Sequence, residues 1–161
     1  MPDSALRASP LRWALCGLET MSETQKFESM NAEDRSRIEA MRKWVSDHYE
    51  DSTAYATVSG KLKLIQTILD NGWVSPEETL KLQSLGVAFG DALEQEVAEL
   101  NWVVVNDEYG RDPALRWGST SVIAFPQTAI SKRIEDGEYI DVFEMFGGFQ
   151  KALIESVHEA T

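Results

Sequence analysis

Cysteine is almost absent. The chain of 161 residues holds one, Cys16, so no intrachain disulfide can form. That fits a reducing compartment and predicts a cytoplasmic location. Histidine is nearly as scarce. The two present, His48 and His158, lie in no ligand spacing such as H-x-x-x-H or H-x-E, which argues against a zinc site. Long apolar runs are missing too, and nothing approaches the roughly 20 residues of a membrane span. The stretch "LRWALCGLET" is too short and too interrupted for a secretory core, and no small-residue cleavage site follows it. Positive charge is the last deficit: 15 Lys and Arg stand against 27 Asp and Glu, a formal net charge of -12. No local basic patch relieves that field, so phosphate backbones are repelled and nucleic acid is excluded as a partner. A G-x-S-x-G elbow, a Walker A loop and a dinucleotide fingerprint are also wanting. No cofactor, no metal and no membrane partner is expected.

What is present reads as helices followed by strands. Met21 opens "MSETQKFESM", a typical cytosolic start, so residues 1–20 are expected to be a flexible arm or an upstream extension, with a single α+β domain over 21–161. In "NAEDRSRIEAMRKWVSDHYE", Asn31 suits an N-cap and acidic residues fill the first turn. Ile38, Met41, Val45 and Tyr49 form its apolar stripe. His48 falls beside that stripe and reads as a partly buried structural residue. A second helix carries Val58, Leu62, Ile65 and Leu69 and stops at Asn71-Gly72. The third is expected to start at Ser75, with Pro76 in the first position and Glu78 completing a capping box. Its buried stripe runs through Leu82, Gly86, Phe89, Leu93, Val97 and Leu100.

That helix contains "LGVAFGDALEQE", with Gly86 and Gly90 where each costs about 1 kcal/mol relative to alanine. On a buried face the missing side chains let another backbone approach, so the pair reads as a packing notch. After it, "WVVVNDEYGRDPALRW" reads as a hairpin with Trp102 to Val105 as one strand, "DEYGRDP" as the turn and "ALRW" as the return. A third strand, "SVIAF", ends at Pro126, and "QTAISKRIEDGE" forms a short helix or turn closed by Asp136-Gly137. The last helix spans Tyr139 to Glu159, with Gly147-Gly148 placed to kink or split it. The fold class is therefore α+β: N-terminal helices, a small antiparallel three-stranded meander packed on helices, and a C-terminal helix.

Few residues are candidates for chemistry. Asp107 and Glu108 open the hairpin turn and, with Glu94, Glu96 and Glu99, offer carboxylates for an acid/base pair or a hard metal, although a solvated helix face and a polar turn explain them equally well. Arg116, Lys132 and Arg133 are scarce cations in an acidic chain. They suit an anion near the helix start in "FPQTAISKR", or else ion pairs with Glu135, Asp136 or Glu138. Trp102 and Trp117 lie on neighbouring strands as a possible cross-strand pair, and either becomes a partner surface if it faces outward. No residue stands out as catalytic.

Taken together, "LGVAFGDALEQE", "WVVVNDEYGRDPALRW", "FPQTAISKRIEDGE" and "IDVFEMF" resemble the bacterial domain of unknown function 3806 family over roughly residues 80–149. The positions that carry the resemblance are Gly86, Trp102, Asp107, Glu108, Gly110, Phe125, Pro126, Lys132 and Arg133. It implies a bacterial origin and a shared fold, and no mechanism. The leading functional expectation is a soluble, acidic, non-enzymatic interaction module, immunity- or regulator-like, that meets a basic protein partner. One alternative is a small-ligand binder or enzyme using Asp107 and Glu108 with Arg116 and Lys132. Another is a homo-oligomer built through the Trp-bearing sheet.

Overall fold

The computed structural model describes residues 26–160; the expected arm over residues 1–20, with Cys16, lies outside them. The first element is a short strand, β1 (Lys26–Glu28), and then α1 (Ala32–Ser46) begins at the expected cap. Asn31 Oδ1 accepts from the Asp34 N–H at 2.8 Å while the Asp34 carboxylate accepts from the Asn31 N–H at 3.0 Å. This reciprocal box satisfies donors that the first helical turn leaves free. Ile38, Met41 and Val45 are buried. His48 lies past the end of α1 and is exposed, with its ring edge on Trp44 at 4.6 Å. The expected partial burial of His48 fails: the helix stops at Ser46, and past its end Tyr49 packs half-buried against the core while His48 stays exposed. A single turn, α2 (Ser52–Tyr55), leads into α3 (Val58–Asp70). Thr57 caps α3 through the Gly60 N–H at 2.8 Å, and Gly72, at φ +64°, ends the segment as anticipated.

The central element is α4 (Thr79–Glu96), which begins three residues later than expected. Half of the expected Ser75–Glu78 box forms: the Glu78 carboxylate accepts from the Ser75 N–H at 3.1 Å and from its hydroxyl at 3.2 Å, while the Glu78 N–H goes to the Ser75 carbonyl and not to its side chain. It closes a separate turn ahead of the helix, and Glu78 caps α4 without a side-chain bond. Ser84 through Gly90 are buried without a break. A helix apolar all round is one packed on all sides, and α1, α3, α5 and α6 each contact this one. It ends at Glu96 because Val97 turns extended, at φ -112° and ψ 106°; Leu100, expected in the helical stripe, instead opens the next strand.

The sheet has four strands in the order β1-β2-β3-β4, all antiparallel, where three were expected. The extra one is β1, whose three residues "KFE" carry too little alternation to read as a strand. β2 (Leu100–Asp107) and β3 (Gly110–Trp117) pair along their whole length, so the turn is only Glu108-Tyr109, between partners Asp107 and Gly110. Most of "DEYGRDP" is therefore strand. Pro113 is tolerated in it because β4 (Ile123–Ala124) pairs only with Leu115 and Arg116, leaving the rest of β3 without a neighbour on that side.

Successive residues alternate between the two faces. Leu100, Trp102, Val104, Leu115 and Trp117 share one face, and Leu100, Leu115 and both tryptophans join the main core. Val103, Val105, Ala114 and Arg116 share the other, where Val105, Ala114 and Ile123 cluster with Phe27 and Phe125. α5 (Pro126–Glu135) starts with proline in the first turn and closes at Gly137, at φ +78°. α6 (Val142–Ala160) runs unbroken through Gly147-Gly148, so the helix is not split there. Its Phe146 and Phe149 meet Phe89 edge-to-face at 5.8 and 5.4 Å. Full burial of Phe89 and Phe149 stabilises the fold by roughly 1.5–3 kcal/mol each.

A groove built on Arg42, Asp91 and Trp102

Gly90 sits where α4 crosses β2 and the start of α5. A Cβ there would lie 2.5 Å from the Trp102 ring and 2.7 Å from the Pro126 ring, so its absence is what lets the indole approach the helix this closely. One residue on, Asp91 meets the indole edge: Trp102 Nε1–H donates to Asp91 Oδ1 at 2.9 Å. Arg42, from α1, presents its fork to the same carboxylate, Nε to Oδ2 at 2.7 Å and Nη2 to Oδ1 at 2.8 Å. Its remaining nitrogen donates to Glu39. Burial works against the Arg42 charge, but the hydrogen bonds and charge of Asp91 outweigh it and hold the guanidinium above its usual range. The Trp102 backbone N–H, which points away from β3, is taken by the Glu94 carboxylate at 3.1 Å.

This network separates two concavities. On one side lies a groove of about 470 Å³, lined by Trp102, Val103, Phe27 and Ile38 together with Arg35, Arg42 and Arg116. On the other is an open hollow of about 440 Å³ bordered by Tyr55, Lys61, Asp91 and Glu94. There burial, helped by Asp91, pushes the Tyr55 hydroxyl up to about 12, and burial lowers Lys61. Lys61 donates to the carbonyls of Tyr55 and Ala56 and to Gln95 Oε1, and lies 5.1 Å over the Tyr55 ring. Among the described residues no group of three His, Cys, Asp or Glu side chains is placed to hold a metal ion, and no helix is long and apolar enough to cross a membrane.

Of the residues singled out from sequence, Trp102 and Arg116 meet at the groove. Arg116 donates to the carbonyls of Thr120 at 2.7 Å and Ser119 at 2.8 Å, and its guanidinium lies 3.9 Å over Phe27. The other candidates stand apart from it. Trp117 pairs with Leu100, and Trp102 with Leu115, so the two indoles are diagonal neighbours rather than a direct pair. Asp107 caps the hairpin through the Tyr109 N–H at 2.8 Å, and Glu108 is exposed at its tip. Desolvation, then the Asp107 charge, raises Asp112 above its usual range. Lys132 and Arg133 lie in the last turn of α5. Arg133 is only 4% exposed; its Nη1 donates to the Ala129 carbonyl, its Nη2 meets no acceptor among the described residues, and burial lowers its pKa. None of Trp117, Asp107, Glu108, Lys132 and Arg133 borders the groove with Arg116. Gly86 does what was expected of it: the α5 backbone fills the space its side chain would need. Sequence reading missed Arg42 and Asp91. Their signal was an acid interrupting an unbroken buried run, at the residue after Gly90.

The model of the family described as Domain of unknown function (DUF3806) matches residues 61–146, a little over half of the chain. The chain belongs to this family. The match begins at Lys61, nearly twenty residues before the resemblance seen from sequence, and takes in α4, the whole sheet apart from β1, and α5. It contains Trp102 and Arg116 of the groove and Asp91 beside it; Arg35 and Arg42 precede it. Among solved structures, the DUF3806 chain is similar to a crystal structure from Bacteroides thetaiotaomicron VPI-5482, with 18% identity and a TM-score of 0.64. That likeness concerns the fold alone. It covers 80% of this chain and 48% of the other, so the chain spans about half the length of that protein. No curated protein matches the sequence.

Proposed function

We propose that this DUF3806 chain is a non-catalytic binding module and that the Trp102 groove is its ligand site. The observation that carries this is the fixed floor. Trp102 is pinned by the Gly90 notch, by the Asp91 bond to its indole and by the Glu94 bond to its backbone. Prebuilt concave sites with a few oriented polar groups are where small molecules bind. The carboxylates nearest the groove are committed to arginine or amide donors, which leaves no free base beside a nucleophile and favours binding over chemistry. The test is fragment mapping by NMR on the ¹⁵N-labelled full chain. The Trp102 indole N–H, assigned through Trp102→Phe, is expected to shift with groove ligands. Hits that gather elsewhere and leave this signal still would refute the assignment.

A second reading, docking on a basic protein partner, is supported by the net charge of -12. It is tested by recovery of the full chain from its host at low and moderate salt. A stoichiometric basic protein lost as salt rises supports it, and the absence of any such protein at low salt counts against it.

A further inference from the structure

We infer that the groove takes a small organic acid whose carboxylate is carried on a flat apolar body. This rests on the groove being the ligand site, and it comes from how the groove's cations are held. Arg35 Nη1 donates to the Met30 carbonyl at 2.6 Å, and Arg116 donates to the carbonyls of Thr120 and Ser119. Carbonyls fix the direction of a guanidinium without cancelling its charge. Neither arginine pairs with a carboxylate among the described residues, in a chain where acids outnumber bases nearly two to one. The two acids that border the groove are already engaged: Glu39 with Arg42, and Glu28 with Arg111 and Asn106. The groove therefore presents two oriented cations with N–H donors to spare. A guanidinium fork matches a carboxylate with two parallel bonds.

The surface between those cations is largely apolar and wraps the edge of β2, with Trp102 on one face and Val103 and Phe27 on the other. Trp102, Phe27, Met30, Ile38 and Val103 border it, and aromatic walls favour a planar body stacked or edge-on. A volume of about 470 Å³ falls in the range of small-molecule pockets, about 300–1,000 Å³. An extended peptide fits less well. The outward backbone N–H of Trp102 that strand addition would need is already taken by Glu94.

The experiment is a titration of the full chain with phenylacetate, with its uncharged isostere phenylacetamide, with benzylamine, and with a short peptide ending in a phenylalanine carboxylate, each followed at the Trp102 indole N–H. Phenylacetate is expected to shift the signal and bind at least about tenfold more tightly than the amide. Arg35→Gln should lose about tenfold or more in affinity. Arg116→Lys, which keeps the charge and loses the fork, should weaken binding of the acid more than it weakens binding of the amide. If the amide or amine shifts the Trp102 signal as strongly as the acid, the acid class is wrong and the groove stands. If the peptide binds and the free acid does not, the small-molecule assignment is overturned. If no probe moves the signal, the inference and the groove reading fall together.

Discussion

Replacing Gly86 by alanine tests the packing of α4 more sharply than any other change. In an exposed helix the substitution stabilises by about 1 kcal/mol, because glycine loses more backbone freedom on folding. Here the new Cβ would land against the carbonyls of Gln127 and Pro126, the latter oxygen at 2.5 Å. These are backbone atoms in the first turn of α5, behind which lie Ala129 and Ile130, both fully buried. They cannot swing aside as a side-chain end would, so α5 must shift as a body. Overpacking of this kind costs about 1–3 kcal/mol, and contact with rigid backbone puts it at or beyond the upper figure. Set against the helical gain, the net loss is about 2 kcal/mol. For a chain of this length that lowers the melting temperature by roughly 4–8 °C. Thermal unfolding by circular dichroism measures it, with Gly147→Ala on α6 as the matched control. A Cβ at Gly147 meets nothing within 4 Å, so that variant is expected to gain about 0.4–1 kcal/mol. If Gly86→Ala melts at or above the parent, the notch does not set the packing of α4.

Other substitutions probe the polar groups. Asp91→Asn leaves Arg42 partly buried without its bidentate partner and should lose roughly 1–3 kcal/mol in urea unfolding, with red-shifted tryptophan emission as the Trp102 indole is released. Arg133→Met removes a buried cation that has no acceptor at one nitrogen, so stability in urea should hold or rise; a clear fall would show that the charge is paired. Asp34 and Asp112 should act in opposite directions with pH. The hydrogen bond from Arg111 holds Asp34 below the ordinary 3.8, so its contribution is complete above that value and drains as pH falls through the lower folded one. Asp34→Asn should therefore lower stability near neutrality and flatten the acid limb of the pH profile. Asp112 is raised above 3.8, so the fold favours its protonated form and is opposed by its charge at neutral pH. Asp112→Asn should stabilise near pH 7 and have little effect well below 3.8, and the reverse pattern would refute the assignment.

The helices and the order of elements were legible in the sequence because their signals are local. Asn31 and Asp34 sit three apart, Asn71-Gly72 demands a positive φ, and Pro126 suits a first turn. What failed was context. Ser75 and Glu78 make half of their box, in a turn that precedes the helix, and Gly147-Gly148 continues a helix that is anchored in the core by Phe146 and Phe149. β1 was invisible because Phe27 is its one apolar residue and its partner strand lies nearly eighty positions away. The groove was half legible. Trp102 and Arg116 stood out by rarity, but Arg35 and Arg42 read as ordinary polar positions of α1, and only the tertiary crossing of α1 over α4 brings Arg42 to Asp91. Gly60 was missed for the same reason: the backbone of Ala54, from the preceding turn, occupies the space beside it.

The groove itself is tested most directly by a crystal structure of the full chain soaked with phenylacetate. The account predicts the ring against Trp102 and Phe27, and the carboxylate within about 2.7–2.9 Å of a guanidinium nitrogen of Arg35 or Arg116. An empty groove at saturating acid, or the acid seated elsewhere with Arg35 and Arg116 untouched, would contradict it.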